Sequence, residues 1–221
     1  APLAQNDASE AVASKFLAPL SECEFSLSAI LENLQRDSFS ALPECRPARC
    51  TGTAVACAAA VLSSARPAAA AHALLFVGGP ATEGGGAVVG KDLEQAMRSH
   101  KDIAKDAAPF MRKASKFYET VATQLCVNGH SLDVFACSLD QVGLAEMKTA
   151  VDQTGGVMVL AEQFRAETFR SSLRRLFRRD ESGALEMYFN ATFSVFCVPQ
   201  VMVCGGIGPM SALAVKSKSI S

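Results

Sequence analysis

Five arginines between residues 170 and 179 have the most distinctive spacing among the side chains that could do chemistry. Arg170, Arg174 and Arg178 repeat every four residues, and Arg175 and Arg179 stand beside them. Guanidinium groups at this spacing on a helix can bind carboxylates or lipid phosphates. The alternative is a solvated cationic face that complements the negative end of the helix dipole. We therefore predict an anion-binding or partner-binding surface here, with no catalytic role.

A glycine-rich loop from Gly78 to Gly86 is the second candidate. It follows an apolar run that ends at Val77, and open α/β sheets bind their ligands beyond the carboxyl ends of the strands. The loop lacks the Lys-Ser or Lys-Thr pair of a phosphate cradle and carries Glu83, whose charge would repel a phosphate. A structural turn is therefore favoured over a nucleotide site.

A metal site at the same edge is the third candidate, because von Willebrand factor A-type domains bind a cation there. A hard cation takes oxygen ligands, which hydroxyls and an aspartate at the strand ends would supply. Here the strand ends in two glycines without a carboxylate, and Arg46 and Arg49 precede Thr51, near the place expected for a liganding threonine. The sequence predicts no metal, cofactor or catalytic residue at this edge.

The cysteines and histidines do not form a recognisable site. The eight cysteines never form a C-x-x-C pair, so zinc ribbons and fingers find no support, and buried reduced thiols in a cytosolic compartment are favoured. The histidines at positions 72, 100 and 130 share no close spacing with metal-ligand residues. His130 and Cys137 are separated by about 23 Å along one strand, too far for a nucleophile and its base.

The composition fits a soluble globular protein. The apolar fraction is 49%, and the net charge of −1 argues against bulk attraction to nucleic acid. The chain begins with Ala1, resembles neither a signal nor a transit peptide, and contains no apolar run near the ~20 residues that span a bilayer. We expect a soluble piece of a longer polypeptide.

The candidate residues are positioned by helices and strands that the sequence predicts. Residues 1–14 predict a flexible tail, and residues 16–20 a short edge strand. Ser26 is expected to cap a helix that buries one apolar face, formed by Leu27, Ile30, Leu31 and Leu34. An alanine-rich helix over 48–65 then leads to a strand, 74–77, that reads as buried on both faces.

After this strand, the sequence pattern alternates between helices and strands. It predicts strands over 131–137 and 155–160 and helices over 109–128, 143–151 and 167–179. This order indicates an α/β fold in which helices cover both faces of a parallel sheet.

The periodicity changes near Gly183. Apolar residues then alternate at period two, and a Pro199-Gln200 turn indicates an antiparallel hairpin. We therefore divide the chain into a tail (1–14), an α/β domain that lacks its N-terminal strands (15–183) and the start of a β-sandwich (184–221).

Several segments together resemble the trunk of the GTPase-activating inner-coat subunit of COPII vesicles. They extend in order over nearly the whole chain, from about Ser14 to Pro209. The segments are Ser14–Phe25, Arg46–Ala54, Phe76–Gly84, Arg98–Ile103, Gly129–Gln141 and Thr154–Val159.

The resemblance implies a modified von Willebrand A-type domain followed by a β-sandwich. It further implies a cytosolic protein in ER-to-Golgi transport, located at the endoplasmic reticulum membrane and COPII vesicles. The implied partners are the cargo-binding inner-coat subunit, a Sar-type GTPase, the outer-coat subunits and the acidic membrane surface. The family's arginine finger, which activates GTP hydrolysis, is expected beyond this piece, and its zinc finger upstream of it.

Two further expectations follow. The missing opening strands would leave sheet edges exposed, and the helix bearing Arg170, Arg174, Arg175, Arg178 and Arg179 is more basic than is usual in the family. The alternative function is a metal-dependent adhesion or hydrolytic domain on the same von Willebrand A-type fold.

Overall fold

The computed structural model describes residues 17–35, 39, 42–187, 190–210 and 212. Strands β1 (His72–Val77), β2 (Ser131–Cys137) and β3 (Met158–Ala161) form a parallel sheet in the order β1-β2-β3. The helices of the described residues are α1 (Leu20–Glu32), α2 (Thr51–Ala65), α3 (His100–Ala104), α4 (Met111–Val127), α5 (Leu144–Thr154) and α6 (Glu167–Leu176). The predicted α/β fold with a parallel sheet is confirmed.

The main core lies on the first face of the sheet, where α2, α4 and α5 pack. Leu132 and Val134 of β2 point to this face and meet the buried stripes of the three helices. In α4 that stripe is Tyr118, Val121, Ala122 and Leu125, at the spacing of one helix face. The helix ends as predicted, with Asn128 at its C-cap and Gly129 at φ 69°.

The second face of the sheet is covered by α6 through aromatic contacts. Phe135 of β2 is 1% exposed and stacks on Phe76 of β1 at 5.5 Å. Phe169 of α6 contacts both rings edge-on, at 5.8 Å and 6.1 Å. Phe76 nevertheless stays 47% exposed, so the prediction that this strand is buried on both faces is wrong. The reason is that β1 lies at the edge of the described sheet and α6 covers only part of it.

The region before α2 differs from prediction. No strand forms over residues 17–19, and helix α1 begins at Leu20, because Pro19 fixes an extended backbone and its carbonyl accepts the N–H groups of Glu22 and Cys23. Ser26 therefore lies inside the helix and does not cap it. The predicted buried face is also wrong, since Leu27, Ile30, Leu31 and Leu34 are 44–69% exposed. Phe16 and the predicted tail, residues 1–14, lie outside the described residues.

The third strand starts later than predicted. Gly155, at φ 71°, ends α5, and Gly156 packs against β2, where a Cβ atom would lie 1.9 Å from the Leu132 carbonyl oxygen. These glycines therefore make the turn into β3 and are not part of the strand.

No strand forms among the described residues of 184–210. Several of their large apolar side chains are exposed, including Phe193, Met202 and Ile207. A hairpin without a sheet or helix to pack against is only marginally stable. The β-sandwich and the domain boundary at residue 183 therefore stay predictions.

Among the described residues, no helix has the length and apolar character needed to span a bilayer.

Candidate functional site

The glycine-rich loop is packed directly against two helices. A Cβ atom on Gly52 of α2 would lie 1.9 Å from the Gly85 carbonyl oxygen, and one on Gly85 would lie 2.2 Å from the Phe117 ring of α4. Gly86, at φ 77°, makes a similar approach to Tyr118. The glycines thus allow the loop backbone to contact α2 and α4, and they leave no room for a phosphate at these points.

The same loop is bonded to the segment that precedes α2. The Thr82 hydroxyl donates to the Pro47 carbonyl and accepts from the Arg49 N–H, both at 3.0 Å. The N–H groups of Thr82 and Glu83 both donate to the Arg49 carbonyl. The Glu83 carboxylate bonds to Lys91, whose hydrogen bond and charge lower the pKa of Glu83. This acidic group beside the N-terminal end of α2 opposes phosphate binding, as the sequence predicted.

An arginine lies at the exit of β1, where a metal site was considered. A Cβ atom on Gly79 would lie 2.9 Å from the guanidinium carbon of Arg49. The described residues contain no group of three histidine, cysteine or acidic side chains that could hold a metal ion. A fixed positive charge at this edge repels a cation, so the geometry does not favour the metal-dependent alternative.

Arg98 and Glu146 form a buried ion pair near this edge of the sheet. The Arg98 guanidinium donates through Nε to Glu146 Oε1 at 2.6 Å and also bonds to Glu146 Oε2 and Gln141. Arg98 is 8% exposed and Glu146 fully buried.

The Tyr118 hydroxyl is buried without a hydrogen-bond partner among the described residues. Burial raises its pKa, and the charge of Glu146 adds to the increase.

Sequence reasoning missed this ion pair. Arg98 and Glu146 are 48 residues apart, and each has the appearance of a surface charge on its own. It also missed a pair that links the strands, in which His72 Nδ1 lies 2.6 Å from Asp133 and Asp133 accepts the Val157 N–H at 2.7 Å. No local signal identifies either pair, because the partners meet only after the sheet has formed.

Two further predictions concerned the separation of His130 from Cys137 and the burial of the cysteines. His130 and Cys137 lie at opposite ends of β2, and burial lowers the pKa of His130 and raises that of Cys137. Of the eight cysteines, only Cys137 is buried. The prediction of buried thiols is therefore wrong for the exposed residues Cys50, Cys57, Cys197 and Cys204. These four cysteines lie in exposed loops or on exposed helix faces.

All five predicted arginines are exposed, and together we call them the arginine surface: Arg170, Arg174, Arg175, Arg178 and Arg179. The helix that carries them ends at Leu176, three residues earlier than predicted. Arg178 bonds to Glu186 at 3.1 Å, and Arg179 donates to the Gly183 carbonyl at 2.6 Å. These contacts hold the two arginines in the turn after α6, so they do not continue the four-residue helical repeat.

The other side of α6 fixes the arginine surface to the sheet. Phe169 packs against Phe76 and Phe135, while Leu173 and Leu176 are half-buried. Arg174 lies 4.0 Å from Glu167, and both groups are well exposed, so this ion pair contributes little stability. The arginines can therefore contact an anionic partner without disturbing the core.

Comparison with known proteins places this fold in a family. Residues 6–180 match the Sec23/Sec24 trunk domain. The chain is 45% identical over 218 residues to protein transport protein SEC23 F of Arabidopsis thaliana, which covers 99% of this chain and 28% of that protein. It is 46% identical over 202 residues to SEC23 C of the same plant, covering 91% of this chain and 26% of that protein. The chain thus spans just over a quarter of the length of these relatives, and it belongs to the Sec23/Sec24 trunk domain family.

Proposed function

We propose that this chain is the trunk segment of a COPII inner-coat subunit that acts in ER-to-Golgi protein transport. The family match over residues 6–180 carries the proposal, and the relatives are named protein transport proteins. The geometry supports a scaffold role, because polar groups at the sheet edge bond to one another and tie the loops together.

The first proposed partner is the cargo-binding inner-coat subunit. Apolar surface that remains exposed on α1 and on the β1 edge supports this proposal, because large exposed apolar patches mark interaction sites. The test is to mix the purified chain with the cognate cargo-binding subunit and to measure association by calorimetry. We expect a stable complex, and failure to associate at micromolar concentration would count against this partner.

The second proposed activity belongs to the full-length protein, which we infer activates a Sar-type GTPase by an arginine outside this chain and also contacts the outer coat. We expect the full-length protein to accelerate GTP hydrolysis. Alanine at Arg170, Arg174 and Arg175 together should leave that acceleration unchanged in solution without membranes. A loss of several orders of magnitude would instead place the arginine finger on this surface.

The arginine surface is proposed to contact the acidic face of the endoplasmic reticulum membrane. Each basic residue near an anionic bilayer contributes about 1 kcal/mol of attraction. Reversing Arg170 and Arg175 to glutamate should therefore weaken binding to phosphatidylserine vesicles more than about tenfold. Lys113→Glu with Lys116→Glu on α4 is the matched control, since it makes the same charge change on exposed residues at the other sheet face. Equal losses in both pairs would reject a specific surface.

A further inference from the structure

A tight turn follows α6 and carries an exposed serine. The Asp180 carboxylate accepts hydrogen bonds from the Ser182 N–H at 2.8 Å, the Ser182 hydroxyl at 2.6 Å and the Ala184 N–H at 3.0 Å. Gly183, at φ 83°, completes the turn. Residues 180–184 are all exposed, so the Ser182 hydroxyl is accessible to another protein and the turn can open without disturbing the core.

The residues before Ser182 match a charge pattern that protein kinases recognise. Many serine/threonine kinases select substrates by an arginine at the third position before the acceptor hydroxyl. The sequence contains this spacing three times, ending at Ser115, Thr168 and Ser182. Ser115 lies within α4 and Thr168 in the first turn of α6, whereas Ser182 lies outside both helices.

The fold separates Ser182 from the other two acceptors. A kinase cleft binds the acceptor in an extended segment, which an exposed turn can supply and a packed helix cannot. Helix α4 packs its buried stripe into the core, and α6 is fixed to the sheet by Phe169, the residue after Thr168. Of the three hydroxyls, only that of Ser182 can therefore enter a kinase cleft without a helix unwinding.

We propose that Ser182 is a phosphorylation site for an arginine-directed kinase and that its phosphate binds Arg179. The Arg179 guanidinium already lies in the turn, where it donates to the Gly183 carbonyl at 2.6 Å. A phosphate carries a charge of about −1.5 to −2 and pairs with a guanidinium in a forked geometry. It also repels the Asp180 carboxylate, which loses the hydrogen bond from the Ser182 hydroxyl. The phosphate therefore draws Arg179 away from the Gly183 carbonyl and opens the turn.

The phosphate donor is ATP, and the kinase supplies the catalytic groups. The Ser182 hydroxyl oxygen forms a bond to the γ-phosphorus, and the bond from that phosphorus to the β,γ-bridging oxygen breaks, so ADP leaves. The hydroxyl proton passes to the catalytic aspartate of the kinase.

The modification also changes the charge beside α6. Residues 165–181 contain six arginines and three carboxylates, a net charge of +3, whereas the whole chain carries −1. A phosphate on Ser182 lowers the local charge to about +1. Phosphorylation should therefore weaken anion binding by the arginine surface, a consequence that rests on the membrane contact proposed above, whereas the site itself does not.

The test incubates the folded chain with ATP and a calmodulin-dependent protein kinase, which selects arginine at the third position before the acceptor. We expect phosphate at Ser182, located by peptide mass spectrometry. Ser182→Ala should abolish its incorporation, whereas Ser115→Ala and Thr168→Ala should leave it unchanged. Absence of phosphate at Ser182, or equal incorporation at Ser115 or Thr168, would overturn the proposal.

A synthetic peptide of residues 173–187 separates the two parts of the argument. If the kinase refuses the peptide, the charge pattern is not a substrate pattern. If it accepts the peptide but not the folded chain, the turn is not accessible. Either result overturns the site.

Recognition by Arg179 has a matched control. Arg179→Ala should lower the rate of incorporation more than about tenfold, because it removes the charged group that an acidic kinase cleft binds. Arg175→Ala removes an exposed arginine outside the pattern and should leave the rate unchanged. Circular dichroism melting of each variant distinguishes lost recognition from lost folding. Equal rates for the two variants would contradict recognition through Arg179.

Vesicle sedimentation tests the charge effect. On phosphatidylcholine vesicles that contain phosphatidylserine, the phosphorylated chain should bind about tenfold more weakly than the unmodified chain. Equal binding of both forms overturns the charge effect and leaves the Ser182 site standing. Absence of binding by the unmodified, folded chain overturns the membrane contact, and the charge effect with it.

Discussion

At the scale of single residues, this fold depends on a few buried polar groups that tie loops to the sheet edge. Arg98 joins the loop before α3 to Glu146 in the first turn of α5, and Thr82 joins the glycine loop to the segment before α2. Such groups are costly to bury unless each finds its partner. Replacing one of these groups should therefore lower the free energy of unfolding more than replacing a single exposed charged residue.

The Arg98–Glu146 pair gives the clearest residue-scale prediction. Arg98→Ala leaves the fully buried Glu146 without its cation and should lower the free energy of unfolding by ~3–5 kcal/mol. Arg112→Ala is the matched control, because its pair with Asp106 is exposed and should change stability by less than ~1 kcal/mol. Urea unfolding measures both changes.

A double variant separates the lost cation from the lost side-chain volume. Arg98→Met combined with Glu146→Leu replaces both charges by apolar groups, so no unpaired charge stays buried, and much of the stability lost in Arg98→Ala should return. Equal effects of Arg98→Ala and Arg112→Ala would contradict the assignment of a buried pair.

His130 gives a prediction about pH. It is 1% exposed, and burial lowers its pKa from the ordinary 6.5, while polar contact with the backbone of Leu62 and Ala69 opposes part of the decrease. As the pH falls below 6.5, the unfolded chain binds a proton at this histidine before the folded chain does. The contribution of His130 should therefore reduce stability with decreasing pH until the lowered folded pKa is reached.

The measurement is the urea midpoint at pH values on both sides of 6.5. His130→Phe should flatten the pH dependence over that interval, because the buried titratable ring is gone. His100→Phe, which removes an exposed histidine, is the control. A wild-type slope that survives His130→Phe would assign the effect to other groups.

At the scale of elements, the sequence predicted correctly the helix and strand bounds that are set by neighbouring residues. The bounds of β2 are confirmed residue for residue, because a glycine turn and a polar loop frame its apolar run. Helix α4 is confirmed within two residues for the same reason. Helical periodicity also identified the amphipathic face of α1, but it could not show that nothing in the described structure covers that face. The Arg98–Glu146 ion pair and the His72–Asp133 contact were beyond sequence reasoning, because their partners come from separate elements.

The contact between the glycine loop and α2 gives an element-scale prediction. Alanine in place of a helical glycine normally stabilises a protein by about 1 kcal/mol. At Gly52 the new Cβ would meet the backbone of Gly85, so Gly52→Ala should instead destabilise the chain by about 1–3 kcal/mol. Gly205→Ala, where nothing lies within 4 Å, is the control. Thermal unfolding reports both, and a stabilising Gly52→Ala would show that the loop does not pack on α2.

At the scale of the whole molecule, apolar residues are divided between a packed core and a large exposed surface. The core lies between the first face of the sheet and α2, α4 and α5. The exposed apolar side chains concentrate on α1 and in residues 190–210. This distribution suits the scaffold role proposed above, in which binding surfaces are separate from the elements that stabilise the fold.

A matched pair of substitutions tests that division. Leu125 is 1% exposed in the core, whereas Leu31 is 59% exposed on α1. Leu125→Ala should lower the free energy of unfolding of the isolated chain by ~2–5 kcal/mol, because it removes packed methyl groups and leaves a cavity. The same change at Leu31 should alter stability by less than ~0.5 kcal/mol, since its side chain already contacts water. Urea unfolding with an unchanged slope measures both, and similar losses at the two positions would mean that α1 packs against the rest of the chain and contributes to its core.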